Sequence, residues 1–449
     1  MKRNARGERR FQPAQVLAVS FIAAILVGTL LLLLPLSTKS GHISFVDALF
    51  TATSGVCVTG LIVQDTATYF TPFGQIVILI LFQLGGLGIM TFSTLILLVA
   101  GKRISIKDSI IIQEEFHHRS PRNVKSLIKS IFLYALLFEA AGTLSLFLRW
   151  QKEFPWDQAL SHSVFHSISA FCNAGFSLFS KSFLSYRGDT WINATLYVLI
   201  VFGGLGFLVL HETKNIFSGF FQKRKTKVSL HTKLVLTMTS ILIFFSFIFF
   251  LAIEWNHSLK AFSLKEKVLS SLFQVITPRT AGFNTLNLNS LSFAAAFLLI
   301  ILMFIGASPG STGGGVKTST TGVIFAFLKS KIAARDSINL FRRTLTVASV
   351  TKAFTVVTLA VGIIFLASFI LLIAHPWASM KDVLFEVFSA FSTVGLSLGI
   401  TPKLTSLGKV VVILTMYIGR IGPLTLLYAF SRQRAFGKYE YVEESVMIG

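Results

Sequence analysis

Four long apolar runs, at 15–35, 124–149, 231–253 and 348–374, divide the chain into quarters. Each is long enough to cross a hydrocarbon core, which takes roughly 20 apolar residues. A shorter amphipathic stretch follows each run, then a turn of small and polar residues, then a further apolar helix. The amphipathic stretches and their turns read LFTATSGVCVTGL (49–61), VFHSISAFCNAGF (164–176), LFQVITPRTAGF (272–283) and LFEVFSAFSTVGL (384–396). Each starts on an aliphatic–Phe pair and ends on one glycine followed by Phe or Leu. The third copy is one residue shorter between its Phe and its glycine. Further along, each quarter carries a second glycine cluster, in FQLGGLGIM, VFGGLGFLV, FIGASPGSTGGG and YIGRIGPLT.

Internal repetition decides the fold before any single residue does. The pattern predicts an all-α membrane protein of four tandem helix–pore-helix–helix repeats, with pseudo-fourfold symmetry around one ion pore. Eight spanning helices and four re-entrant pore loops are expected. Repeat 1 is placed at 1–100, repeat 2 at 101–222, repeat 3 at 223–335, repeat 4 at 336–431, and a C-terminal tail at 432–449. A polar loop at 306–318 interrupts the second helix of repeat 3. Each short helix has about 12 residues, or ~18 Å at the α-helical rise, about half a bilayer. Irregular backbone at that depth is tolerated only where protein buries it or it lines a wet cavity.

Composition agrees: only 13% of the 449 residues are charged and mean hydropathy is +0.72, far from soluble globular chains. The net charge of +22 would suit nucleic acid if it were spread over one face. Instead the basic residues cluster in MKRNARGERR, GKRISIK, HHRSPRNVKSLIK, FQKRKTK, KSKIAARDSINLFRR and SRQRAFGK, which fall in every second loop. That is the positive-inside signature, so anionic lipid is the expected partner and nucleic acid is not. Both termini are expected in the cytoplasm and the chain in the plasma membrane. The first apolar run is longer than a signal-peptide core, and no small-x-small cleavage site follows it. Cys57 and Cys172 fall within membrane segments, which argues against a disulfide framework. The histidines, His117, His118, His162, His166 and His211 among them, form no ligand cluster.

The chemistry lies in Val58-Thr59-Gly60, Asn173-Ala174-Gly175, Thr280-Ala281-Gly282 and Thr393-Val394-Gly395. None contains Asp or Glu, so a carboxylate ring is excluded. What they share is backbone and one glycine, which tolerates positive φ and lets consecutive carbonyls aim at one axis. Carbonyl oxygens replacing an ion's water shell are the chemistry of a potassium filter. The short helices end at these turns, and their C-terminal partial charge favours a cation. A monovalent cation is expected, potassium first. Close helix packing by small residues is the bland alternative, and it explains Gly85, Gly86, Gly203 and Gly204 equally well. The loop GASPGSTGGGVKTST (306–320) invites comparison with a phosphate cradle. That motif needs glycine immediately before its lysine, whereas Val316 precedes Lys317, and no clear strand leads into it.

The four turns, together with TPRTAGF, GASPGSTGGGVKT and IGRIGP, resemble the Trk/Ktr/HKT superfamily of potassium transporters over essentially the whole chain, most of all the ion-translocating membrane subunit of a bacterial Ktr system. The resemblance implies that Gly60, Gly175, Gly282 and Gly395 are the selectivity glycines. In sodium-selective plant relatives the first is serine, so Gly60 favours potassium. It also implies that Gly306, Ser308, Gly310, Ser311, Thr312, Gly313, Gly314, Gly315 and Lys317 belong to an intramembrane gating loop beneath the filter. A homodimer and a separate cytoplasmic ring of RCK-type nucleotide-binding regulatory subunits follow from the same resemblance. The basic loops at 102–129, 214–233 and 329–343 and the tail are the docking surfaces expected for that ring. No enzyme activity and no bound cofactor are expected of this chain beyond the transported ion, potassium or sodium. The alternatives are a sodium-selective or mixed channel of the same superfamily, and a membrane enzyme holding phosphate at 310–318.

Ionisable residues at membrane depth default to functional hypotheses. Arg279, inside the third turn, is expected to support the filter by bonding loop carbonyls. By the resemblance, Arg420 in YIGRIGP faces the cavity below the filter, where it adds an electrostatic barrier and bonds the gate loop. Lys317 either takes part in gating or snorkels to water. Glu139 in LLFEAAGTL needs a partner, a basic residue or helix backbone, that the sequence does not name.

Overall fold

The computed structural model describes residues 2–3, 9–10, 13–89, 91, 124–213, 228–430 and 444. Most of the expected basic docking surface, at 102–123 and 214–227, and nearly all of the tail lie outside the described residues, as do His117 and His118.

The first unit holds α1 (Pro13–Leu33), α2 (Phe45–Val56) and α3 (Pro72–Leu87). The second holds α4 (Val124–Trp150), α5 (Trp156–Phe171), α6 (Thr190–Leu205) and α7 (Phe207–Thr213). The third has α8 (Leu230–Glu254), α9 (Leu264–Ile276), α10 (Phe293–Phe304) and α11 (Thr318–Ile332). The fourth has α12 (Val347–Ala374), α13 (Met380–Phe391), α14 (Ser406–Ile421) and α15 (Pro423–Phe430). A long helix, a short one, a turn and a further helix thus recur in each. A small antiparallel hairpin, Asn339–Leu340 with Arg343–Thr344, joins the third unit to the fourth.

The first helix of each unit contains a continuous apolar span: Ala14–Leu33, Ile128–Trp150, Leu230–Glu254 and Val347–Ala374. The second helices are not continuous, so breaks in the other units join the interruption expected in the third repeat. α6 and α7 meet at 103°, and α14 and α15 at 91°. Helix α10 stops at Phe304, and α11 resumes only after the 306–317 loop. The cause is local: Gly88, Gly206 and Gly422 end α3, α6 and α14 at φ of 87°, 93° and 92°, a conformation open to glycine and costly for other residues. The groups freed at such a break need protein partners at membrane depth. Phe207 N–H accordingly donates to Gly310 O at 2.9 Å.

Three buried clusters hold the units together. One joins the first and fourth units and takes in Phe165, Cys172, Ala174 and Phe176 of the second. Another joins the second to Phe273, Ile276 and Phe283 of the third. The last joins the third to Phe385, Val394 and Leu396 of the fourth. The four units therefore close into a ring, with the C-terminal parts of α2, α5, α9 and α13 buried inside it. Large side chains such as Leu30, Leu136, Phe249 and Phe365 remain exposed on the long helices, as a lipid-facing surface requires. Gly85, Gly203 and Gly419 sit against the carbonyls of Val56, Phe171 and Phe391. An added methyl there would strike backbone, so close packing accounts for this part of the second glycine cluster.

Candidate functional site

Three of the four short helices start on a serine cap, while α5 starts after Pro155 with no side-chain cap. Ser44, Ser263 and Ser379 cap the N-termini of α2, α9 and α13 by accepting a backbone N–H, a contribution of about 1 kcal/mol each. Ser263 and Glu266 form a reciprocal capping box. The Ser263 bonds, backbone first, with Arg187 at 3.1 Å, hold the Glu266 carboxyl below the ordinary carboxylate range. That ion pair also ties the second unit to the third.

At the other end the turn begins. Val58, Asn173, Thr280 and Thr393 have φ of 57°, 57°, 74° and 51°, and the glycines two residues on have 88°, 72°, 77° and 92°. The residue between is not left-handed, so handedness alternates along each turn. Left-handed backbone costs a non-glycine residue roughly 1–2 kcal/mol, and Val and Thr feel it most. The helix ends meet that cost by taking up the N–H groups. Thr59, Ala174, Ala281 and Val394 donate to Ser54 O, Ser169 O, Thr277 O and Ser389 O at 2.8, 2.7, 2.9 and 2.8 Å. Among the described residues, no N–H or O–H donates to any of the twelve carbonyls of the four tripeptides.

Those four carbonyl acceptors belong to residues the sequence reading did not single out. Their hydroxyls brace the glycine as well. Ser54 and Ser389 Oγ accept from Gly60 and Gly395 N–H at 3.0 and 3.1 Å. Ser169 and Thr277 hydroxyls donate to Phe176 O and Phe283 O, just past the glycine, at 2.8 and 2.6 Å. A Ser or Thr in the same register of all four quoted stretches was the available signal.

The glycines converge. A Cβ on Gly60 would lie 2.5 Å from Ala174 O and 2.9 Å from Gly175 Cα. One on Gly175 would meet Ala281 O at 3.0 Å and Gly282 Cα at 3.1 Å, and one on Gly282 would meet Val394 O at 2.5 Å and Gly395 Cα at 3.3 Å. Gly395 closes the circle against Thr59 O and Gly60. Each turn presents itself to the next in chain order. No group of three His, Cys, Asp or Glu suited to a metal ion occurs among the described residues. Around the glycines the neighbouring atoms include the backbone oxygens of Thr59, Ala174, Ala281 and Val394.

The 306–317 loop underlies two of the turns. Gly313 sits against the Thr280 side chain, and Gly314 N–H donates to Thr393 Oγ1 at 3.0 Å. Ser308 N–H donates to Gly204 O at 3.0 Å and Thr312 Oγ1 to Gly203 O at 3.2 Å, which fixes the loop to the end of α6. Ser311 Oγ and Thr318 Oγ1 bond within the loop, to Ser308 O and Ser308 Oγ. Lys317 Nζ donates to Gly313 O at 2.5 Å, so its ammonium is engaged by the loop's own carbonyls. Arg420, at the end of α14, donates to Thr312 O in the loop and to Gly85 O at the end of α3.

Two expectations about charge change. Arg279 is buried, but its guanidinium bonds no loop carbonyl: none of its three nitrogens has a partner among the described residues. Its backbone carries the local contact instead, Arg279 O accepting from Asn173 Nδ2 at 3.5 Å. Glu139 pairs with a neutral residue. Gln83 Nε2 donates to both carboxylate oxygens at 3.0 and 3.1 Å, and Cys172 Sγ donates to Gln83 Oε1. Cys57 and Cys172 are free and buried.

The chain matches the TrkH family, described as a cation transport protein, over residues 4–440. It is 41% identical over 425 residues to the Ktr system potassium uptake protein B of Bacillus subtilis (strain 168), covering 94% of each chain. Against the potassium/sodium uptake protein NtpJ of Enterococcus hirae it is 36% identical over 456 residues, covering 100% of this chain and 99% of that one. Among solved structures, the potassium transporter TrkH from Vibrio parahaemolyticus superposes with a TM-score of 0.75 at 18% identity, over 96% of this chain and 87% of that one. That likeness speaks for the fold.

Proposed function

The chain belongs to the TrkH family of cation transport proteins, a family of transporters and not of enzymes, and on that premise we propose that it takes up potassium across the plasma membrane through a channel-like pore. The selectivity filter is formed by the carbonyls of Val58-Thr59-Gly60, Asn173-Ala174-Gly175, Thr280-Ala281-Gly282 and Thr393-Val394-Gly395. One observation carries this reading: four turns with alternating handedness meet around a common centre, and their carbonyls receive no hydrogen among the described residues. Such oxygens replace the water shell of a monovalent cation, and four helix C-termini around them favour positive charge.

The 306–317 loop acts as the gate beneath the filter, held shut by Arg420, whose charge also opposes a cation in the cavity. A cytoplasmic regulatory partner, an RCK-type ring, and a homodimer belong to the same proposal; the relative's name as part of a Ktr system supports the partner subunit alone. Both termini lie in the cytoplasm, and anionic lipid meets the basic loops. A mixed potassium/sodium transporter is the second reading, favoured by the printed function of NtpJ. The phosphate-binding enzyme has little support, because Lys317 is already engaged by Gly313 O.

The test is growth on limiting potassium, in cells lacking their own uptake systems, of variants with Gly→Ser at 60, 175, 282 and 395 in turn. Each substitution forces a side chain into the ring and is expected to lower potassium uptake or its preference over sodium. Four variants indistinguishable from the parent would end the filter reading.

A further inference from the structure

Nine residues before the turn glycine, α5 and α13 carry His166 and Glu386, and both side chains are buried. Each grips the serine two residues after the glycine. His166 Nε2 lies 3.0 Å from Ser177 Oγ and accepts Leu178 N–H at 3.1 Å, while Nδ1 lies 2.8 Å from His162 O. The accepted N–H fixes Nε2 as the acceptor, so the hydrogen sits on Nδ1 and Ser177 donates. Glu386 accepts Ser397 Oγ at 2.7 Å and Thr401 Oγ1 at 2.5 Å. Both serines in turn accept the N–H two residues on, Phe179 and Gly399, at 3.0 Å.

The other two units lack this arrangement. In the first, Thr51 bonds its own helix at Asp47 O, and the residue two past the glycine is Ile62. In the third, Gln274 has the equivalent register in the shortened copy, and its amide has no partner among the described residues. Asn284 stands two past that glycine and bonds Leu286 O. The ring order of the glycines sets the second unit opposite the fourth. The chain past Gly175 and Gly395 is thus tied to its pore helix by a side-chain pair through Ser177 or Ser397. Past Gly282 the ties are instead Thr277 Oγ1 on Phe283 O and Asn284 N–H on Ser182 Oγ, and past Gly60 Gln64 Nε2 on Asp47 Oδ2.

We propose that Ser177 and Ser397, clamped by His166 and Glu386, are positioning residues that fix the filter along one diagonal and set its discrimination between potassium and sodium. They act through the adjoining glycine carbonyls and do not touch the ion. Discrimination between two ions of equal charge depends on how far the oxygens can follow the smaller one inward. A turn whose serine past the glycine is also clamped to a buried His or Glu of the pore helix follows less. This rests on the filter reading, and the experiment separates the two.

Sodium and potassium uptake are measured in transporter-deficient cells, at matched membrane content, for Ser177→Ala, Ser397→Ala and their double variant, with Ser→Thr at each position, Glu386→Ala alone and combined with Ser397→Ala, Asn284→Ala and Gly395→Ser. Each serine-to-alanine change is expected to raise sodium uptake relative to potassium about fivefold, the fold-change of one net hydrogen bond, with the maximal potassium rate little altered. Threonine restores the ratio, Asn284→Ala leaves it unchanged, and Glu386→Ala/Ser397→Ala is no worse than either single change. An unchanged ratio in the alanine variants, with Gly395→Ser altered, overturns the clamp and leaves the filter standing. An unchanged ratio in Gly395→Ser as well overturns both. Lower protein level with the ratio intact is what a merely structural role gives, and it also overturns the clamp. If the double variant does not reach the membrane, the single variants decide by the same criteria.

Discussion

Replacing Arg420 by alanine tests the gate most directly, because one side chain ties the loop to a different unit. Its guanidinium donates to Thr312 O in the loop and to Gly85 O at the end of α3. Hydrogen bonds from a charged donor are worth about 1.5–3 kcal/mol each. Only the Thr312 O bond is broken when the loop leaves, since Gly85 O belongs to α3. At about 1.5–3 kcal/mol, its removal shifts the ratio of seated to released states on the order of 10- to 100-fold. A loop seated in ~99% of molecules would then be released in about a tenth to a half of them, and uptake would rise by ~10- to at most ~50-fold. The remaining ties, Ser308 N–H on Gly204 O and Gly314 N–H on Thr393 Oγ1, keep the rise below that ceiling. The assay is initial-rate rubidium or potassium uptake at matched membrane content. Arg420→Lys separates tether from barrier: it keeps the charge, but a compact ammonium does not reproduce the two-armed bond. Fast uptake in both variants assigns the effect to the tether; fast uptake in the alanine variant alone assigns it to charge. Wild-type rates in Arg420→Ala would refute the reasoning.

Two further outcomes follow from pairs outside the filter. Glu139→Leu leaves the Gln83 amide without its buried acceptor, which costs about 1–3 kcal/mol; it should lower the melting temperature in detergent, with Glu139→Gln closer to wild type, and equal melting of all three would disprove the pairing. Lys409→Met removes the 2.6 Å partner of Asp47 and leaves a largely buried carboxylate at the first turn of α2, so thermal stability should fall. Asp47→Asn/Lys409→Met should recover part of that loss, since a lone buried charge costs more than a missing pair.

How much of this was legible depends on what a residue type alone can encode. A left-handed backbone at close quarters writes glycine into the sequence, so the positions of Gly60, Gly175, Gly282 and Gly395 could be read directly. The left-handed residues two places earlier could not be, because Val58, Asn173, Thr280 and Thr393 share no side-chain chemistry. Their φ is imposed by the helix end that takes up the following N–H. Ser54, Ser169, Thr277 and Ser389 were in view within the quoted stretches, yet a hydroxyl does not say whether it caps, packs or braces. Helix breaks at Gly206 and Gly422 were hidden for a different reason: both arms of each bent pair are apolar, so hydropathy runs straight through the corner. Glu139 was misjudged because a buried charge suggests a countercharge, whereas an amide can serve both carboxylate oxygens without one. Arg279 shows the converse, since a cation next to a row of carbonyls need not bond them. Residue type thus announces backbone requirements well and tertiary partners poorly. The features legible from four aligned turns were those that each unit needs by itself. The Arg420 bond to the loop was expected, but its second bond, to Gly85 O, arises only when the ring closes. The clamps at Ser177 and Ser397, though each lies within one unit, needed the side-chain geometry.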